Sequence, residues 1–212
     1  MSISKSVVIS CAGMGKRLGI GSTKCLVSVA GVPLLIRHLQ MLDSVEDVRI
    51  VVGYQAQEVI DLARSYRPDL TFVFNHDYRT TNTGDSVRLA ARFASDLVLT
   101  LDGDLLVHPA DMHRLLSNNS EFIGLTTPAS DDPVLASTNN GVVLGFSRSV
   151  GNLEWTGVCQ IGSEKLLSGS GHVYQLLEPY LPMSYELIRT KEIDTMNDYD
   201  AAVAWVNNNY SD

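Results

Sequence analysis

Residues 7–33, VVISCAGMGKRLGIGSTKCLVSVAGVP, constrain the fold of this chain more than any other stretch. An apolar run ends in small residues and opens directly into glycines flanked by Lys16, Arg17 and Lys24. A strand that ends this way presents backbone N–H groups and positive charge to phosphates. Two other phosphate loops fit poorly. A Walker loop needs Gly-Lys followed by a hydroxyl residue, and Gly15-Lys16 is followed by Arg17. A dinucleotide fingerprint needs a third glycine three residues after the second and an acid closing the next strand. Here Gly13 and Gly15 are followed only by Gly19, and VRIVVGYQ ends without a carboxylate, which argues against NAD.

Apolar runs and helical periodicity alternate through the first half. Strands are expected at 6–11, 48–53, 70–75 and 96–101, with helices at 33–43, 55–65 and 84–94. The alternation predicts an α/β fold: a three-layer, Rossmann-like, predominantly parallel sheet with helices on both faces and ligands at the carboxyl ends of the strands. The second half is less regular. It predicts helical segments at 109–117, 163–168, 171–179 and 196–208, and strands at 121–126, 141–147, 155–161 and 190–194. The turns NNGVV and SVGNLEW suggest hairpin-like additions at a sheet edge. With no linker composition anywhere, residues 1–212 read as one domain, about 1–120 for a nucleotide and about 121–212 for an acceptor.

The formal net charge of -8 argues against a nucleic-acid surface, while the few cations concentrated in the glycine loop still suit a nucleotide. No apolar run reaches membrane-spanning length, and the N-terminus leads into a strand rather than a signal sequence, so a cytoplasmic protein with no membrane partner is expected. Cys11, Cys25 and Cys159 have neither metal-ligand spacing nor an even count and are expected to be reduced. Oligomeric state, monomer or homodimer, is left open.

Two acidic motifs carry the chemistry. In LTLDGDLL, Asp102 and Asp104 stand two apart at a strand end, where an extended chain turns both carboxylates to one side, close enough to share a metal; turn capping is the alternative. In KEIDTMNDYDAA, Asp194-Thr195 reads as a helix cap, with Asp198 and Asp200 suiting the first turn. Capping does not account for Asp194 ending an apolar pair. His108, just past the first motif, is a lesser candidate for substrate contact.

CAGMGKRLG, TKCL and VAGVPLL resemble the opening signature of the nucleotidyltransferases, roughly AAGxGxR, PKxL and VxGxPL. The short loop from Arg17 to Lys24 is similar to that of the methylerythritol-phosphate cytidylyltransferases, and the layout of residues 52–78 to that of the phosphocholine cytidylyltransferases. Thr23 departs from the pattern, standing where the family usually has proline, which implies a less rigid lysine loop. The resemblance implies catalytic roles for Arg17 and Lys24, and nucleotide contacts from Ala12, Gly13, Met14, Gly15, Lys16, Gly84, Ser86 and Asp102. It implies magnesium as cofactor, on Asp104 and Asp194. Glu154, Trp155 and Gly157 resemble acceptor-facing residues, although a tryptophan in a strand is also ordinary core.

The segment ending Asp85-Ser86-Val87 resembles the cytosine-contacting segment of the cytidylyltransferases, while Thr81, Asn82 and Ser86 also read as helix caps. CTP is therefore the expected nucleotide, with a small phosphorylated acceptor and loss of pyrophosphate. Alternatives are a UTP- or GTP-dependent sugar-1-phosphate enzyme and a catalytically silent nucleotide-binding domain.

Overall fold

Alternating apolar residues divide each central strand between two cores, and this division builds the layers of the computed structural model, which describes residues 4–19 and 21–210 and leaves out the side chain of Lys16. The first half runs β1 (Lys5–Ser10), β2 (Ser28–Val29), β3 (Val32–Pro33), α1 (Leu34–Met41), β4 (Asp47–Val52), α2 (Ala56–Tyr66), β5 (Thr71–Phe74), α3 (Thr83–Ala91), β6 (Leu97–Asp102), β7 (Leu105–Val107) and α4 (Pro109–Ser117). The second half runs β8 (Phe122–Thr126), β9 (Leu135–Asn139), β10 (Val142–Ser147), β11 (Leu153–Gly162), α5 (Val173–Leu177), β12 (Met183–Leu187), β13 (Thr190–Glu192) and α6 (Met196–Asn209).

Val7, Ile9, Ile50, Leu99 and Leu101 face a core with α1, α2 and α4, whereas Val8, Val51 and Val98 face a second core with α3 and α5. A period of two along each strand thus supplies both layers of helices with an apolar wall. The nine-stranded sheet has the order β5-β4-β1-β6-β11-β8-β12-β10-β9. Its first four strands are parallel, but β11 joins β6 and β8 antiparallel, and β10 joins β12 and β9 antiparallel. The sheet is mixed rather than predominantly parallel, because β11 runs back between two strands of the opposite direction.

Further differences lie in the second half. The segment 163–168 is a 3-10 turn over Ser163–Leu166, and the segment 171–179 is the short α5 followed by another 3-10 turn at Glu178–Tyr180. NNGVV makes the β9–β10 hairpin, with Asn140 and Gly141 both at positive φ. SVGNLEW does not pair the strands it joins: β9 lies between β10 and β11 and bonds both.

Two small ribbons, β2–β3 and β13–β7, stand apart from the main sheet and are covered by α6. Leu18, Val29, Leu34, Leu106, Ile193, Ala202 and Val206 form the third core there. The closing helix thereby clamps the lysine loop to the second acidic motif. Among the described residues, no helix is long and apolar enough to cross a membrane.

Candidate active site

The parallel strands β1, β4 and β6 end together, and the glycine loop, the lysine loop and the DGD turn meet above them. Gly103 fixes the meeting point. A Cβ there would lie 2.8 Å from Ser10 O and 2.9 Å from Cys11 Sγ, so only glycine lets the turn rest on the end of β1. Gly15, at φ +59, similarly lets the glycine loop fold onto the backbone of Ser22 and Lys24. A Cβ at Gly13, by contrast, would meet nothing within 4 Å among the described residues, which leaves that face open to a ligand.

Register brings the two acidic motifs together. In the β13–β7 ribbon Glu192 lies opposite Leu105, and the Ile193 N–H donates to Asp104 O at 3.1 Å. Carboxylate oxygens of Asp104, Glu192 and Asp194 consequently lie within 4.8 Å of one another. Lys24, only 9% exposed, donates to Asp104 Oδ2 at 2.7 Å and also to Asp194 Oδ1. Arg17, largely in solvent, holds the other oxygen of Asp194 at 2.8 Å. Two cations therefore face three carboxylates.

The charges perturb one another as Coulomb's law requires. Burial works against the Lys24 ammonium, but Asp104 and Asp194 more than offset it and hold its pKa above the ordinary lysine value. Burial of the carboxyl group, reinforced by Asp104 and Asp194, pushes Glu192 up to about 8 although the residue as a whole is exposed. Burial and then Asp104 and Glu192 push Asp102 well above the usual carboxylate range. Three convergent carboxylates form a hard oxygen donor set of the kind that suits Mg2+, which takes a few protein oxygens and keeps water and phosphate as its other ligands.

The extended-strand geometry expected for Asp102 and Asp104 does not apply. The chain turns at Gly103 and Asp104, and the Asp102 carboxyl packs against Gly157, which sits at φ +84 where β11 bulges between Trp155 and Cys159. The strand argument fails there because β6 ends at Asp102. Thr195 is the N-cap of α6, and Asp198 completes a capping box with it, which leaves the Asp194 carboxylate to Lys24 and Arg17. Glu192 is a site residue that the sequence motifs do not single out, yet the spacing argument applied to Asp102 and Asp104 holds for Glu192 and Asp194, two apart across the end of β13.

The remaining predicted residues are placed differently. Ala12 and Gly15 line the glycine loop with Gly13 and Met14; Lys16 begins a 3-10 turn, and its side chain lies outside the described residues. Gly84 and Ser86 are buried: the Gly84 N–H donates to Gly171 O at 2.9 Å, and Ser86 Oγ accepts from Asn75 Nδ2 at 3.0 Å. Asn82 and Asp85 form the capping box of α3. Glu154, 7% exposed, accepts from Ala129 N at 2.6 Å and from the Ser130 hydroxyl, tying the loop after β8 to β11. Trp155 stacks edge-on against Phe146 at 5.9 Å. His108 caps α4, its Nδ1 accepting from Ala110 N at 3.2 Å. Cys11, Cys25 and Cys159 are free and buried.

Residues 7–153 match the family model described as MobA-like NTP transferase domain. A stretch of 115 residues, 51% of the chain, is 39% identical to CMP-5'-(3-aminopropyl)phosphonate synthase of Streptomyces rubellomurinus. That match spans only 18% of the relative's length. The inositol-1-phosphate CTP transferase of T. maritima superposes with a TM-score of 0.79 at 16% identity, over 95% of this chain and 96% of that one. The CTP:phosphocholine cytidylyltransferase of Streptococcus pneumoniae superposes with a TM-score of 0.74 at 20% identity, over 96% and 100%. These two likenesses establish a shared α/β nucleotidyltransferase fold.

Proposed function

Because the chain belongs to the MobA-like NTP transferase domain family, we propose that it is a magnesium-dependent cytidylyltransferase that transfers CMP from CTP to a small phosphorylated acceptor and releases pyrophosphate. The observation that carries this reading is the convergence of Lys24, Arg17, Asp104, Glu192 and Asp194 beside the open glycine loop. A silent nucleotide-binding domain has no need of two cations paired with Asp104 and Asp194 beside a third carboxylate, Glu192. The choice of CTP is supported by the 39% identical stretch of a relative whose name describes a CMP conjugate.

An acceptor phosphate oxygen attacks the α-phosphorus in line, forming a new P–O bond. The bond from that phosphorus to the bridging oxygen breaks, and its electron pair leaves with pyrophosphate. An ionised phosphate is already a nucleophile, so no protein base is required. Negative charge grows on the bridging and leaving oxygens, and Lys24 and Arg17 are the cations positioned to meet it. Magnesium held by Asp104, Glu192 and Asp194 would supply further charge neutralisation at the phosphate oxygens. Backbone N–H groups at Ala12 to Gly15 cradle the phosphates, and the Asp102–Gly157 contact forms the floor between nucleotide and acceptor.

Base and acceptor selection falls to the loops around α3 and β11. Because Ser86 and Glu154 already hold internal partners, their part is to shape those loops. Pyrophosphate release measured with each of the four nucleoside triphosphates against a panel of phosphorylated sugars, polyols, amino alcohols and phosphonates tests the assignment. CTP with one acceptor class should dominate. A UTP or GTP preference would move the chain to another subclass, and no release with any pair would overturn the activity.

A further inference from the structure

We infer that Gln55 is a positioning residue for Lys24, an inference that rests on the catalytic reading of that lysine. Gln55 occupies the N-cap of α2 in a left-handed conformation, φ 50 and ψ 41, which is unusual for a residue with a long side chain. Its amide makes no capping hydrogen bond to its own helix. Instead Oε1 reaches across to the lysine loop and accepts the Thr23 N–H at 2.8 Å, one residue before Lys24. Thr23 is 2% exposed, so without Gln55 that buried donor would lack its partner.

Neighbouring contacts come from the same strand end. The Tyr54 N–H donates to Ala12 O at 3.1 Å, and the Tyr54 hydroxyl donates to Gly21 O at 3.3 Å. Residues 54 and 55 therefore fasten the glycine loop, the start of the lysine loop and Thr23 in succession. A left-handed backbone whose side chain bonds the residue preceding a buried cation, and not its own helix, is the pattern expected when conformation is maintained for a site. Thr23 itself lies at φ -65 and ψ 139, a conformation that proline adopts without strain. Gln55 thus does by hydrogen bonding what a proline at 23 does by covalent geometry, and the two devices are mutually exclusive: proline has no N–H for Gln55 to receive.

Steady-state kinetics and thermal melting of four variants test this. Gln55→Gly relieves the left-handed strain while orphaning the buried Thr23 N–H, two opposed effects of similar size, so its melting temperature should move little. Its kcat should drop roughly ten- to a hundredfold with KM for the nucleotide little changed, since misplacement of a catalytic cation by about 1 Å has effects of that order. Gln55→Glu keeps an acceptor oxygen and should retain most of the turnover. Adding Thr23→Pro to Gln55→Gly should restore turnover, while Thr23→Pro alone should not improve on wild type.

Full turnover in Gln55→Gly would overturn the inference, as would equal losses in Gln55→Gly and Gln55→Glu with no rescue by proline. Lys24→Ala separates the two readings. If it abolishes turnover while Gln55→Gly does not, Gln55 alone loses its role; if Lys24→Ala is fully active, both fail.

Discussion

Lys24 Nζ lies 2.7 Å from Asp104 Oδ2 and donates at the same time to Asp194, so a buried ammonium stands at the centre of the carboxylate set. Any divalent cation placed among those oxygens competes with it for the same charge. Removing the lysine leaves clustered carboxylates without their counter-ion, a change of up to about 3 kcal/mol when such a pair is well buried and less where solvent reaches the acids. Lys24→Met is therefore expected to melt below wild type in chelator and to be raised by Mn2+ more than wild type is. Equal responses to Mn2+ would show that lysine and metal do not share these oxygens.

Asp104→Ala and Asp194→Ala should each depress metal-dependent turnover by more than about a hundredfold, because losing a charged ligand costs several kcal/mol of transition-state stabilisation. Glu192→Gln should raise the Mg2+ concentration needed for half-maximal turnover. Initial rates over a magnesium titration provide the check, and unchanged rates in Asp104→Ala or Asp194→Ala would remove that residue from the site.

Much of this site is legible from chemistry-bearing residues at strand ends. Local motifs single out Arg17, Lys24, Asp104 and Asp194, and the structure brings all four together. Glu192 stays hidden because its partner residue Leu105 belongs to a three-residue strand, β7, too short to leave a periodic signal. The strand β12, MSYEL, sits inside the sheet but mixes Ser184 and Glu186 with apolar residues, and β9, LASTN, is largely polar although it bonds both β10 and β11. Neither has the continuous apolar run that marks β1 or β6. Ser86 and Glu154 are buried polar groups whose partners, Asn75 and Ser130, are contacts between elements that no local pattern discloses.

Gly103→Ala tests the close approach beneath the site. Its new methyl would meet the Ser10 carbonyl and the Cys11 sulfur in a closely packed core, and overpacking of this kind costs about 1–3 kcal/mol. Urea denaturation should show that loss, together with reduced turnover, because the turn carrying Asp104 must shift. Unaltered stability would contradict the packing described at the end of β1.

Acid should weaken the fold through His38, which is 1% exposed on α1 and pushed down to about 4 by burial, the Asp104 charge only partly opposing the shift. The unfolded chain takes up a proton near pH 6.5 that the folded chain refuses until about pH 4. Stability is thus fully present above about pH 6.5 and falls as pH drops towards 4, by roughly 3 kcal/mol for a shift of this size. Denaturation midpoints of His38→Leu between pH 4 and 7 should lack this component; identical pH profiles for variant and wild type would exclude His38 as the source.

Nucleotidyl transfer cleaves one particular bond, between the α-phosphorus and the pyrophosphate bridge, and phosphorus-31 NMR of a reaction containing the chain, CTP, Mg2+ and a phosphorylated acceptor reads that bond directly. The account predicts pyrophosphate and a CMP–acceptor diphosphate-type signal appearing in equal amounts, both lost in Lys24→Ala and Asp104→Ala. Inorganic phosphate with CDP, or a CMP–acceptor product formed equally well by those variants, would contradict it.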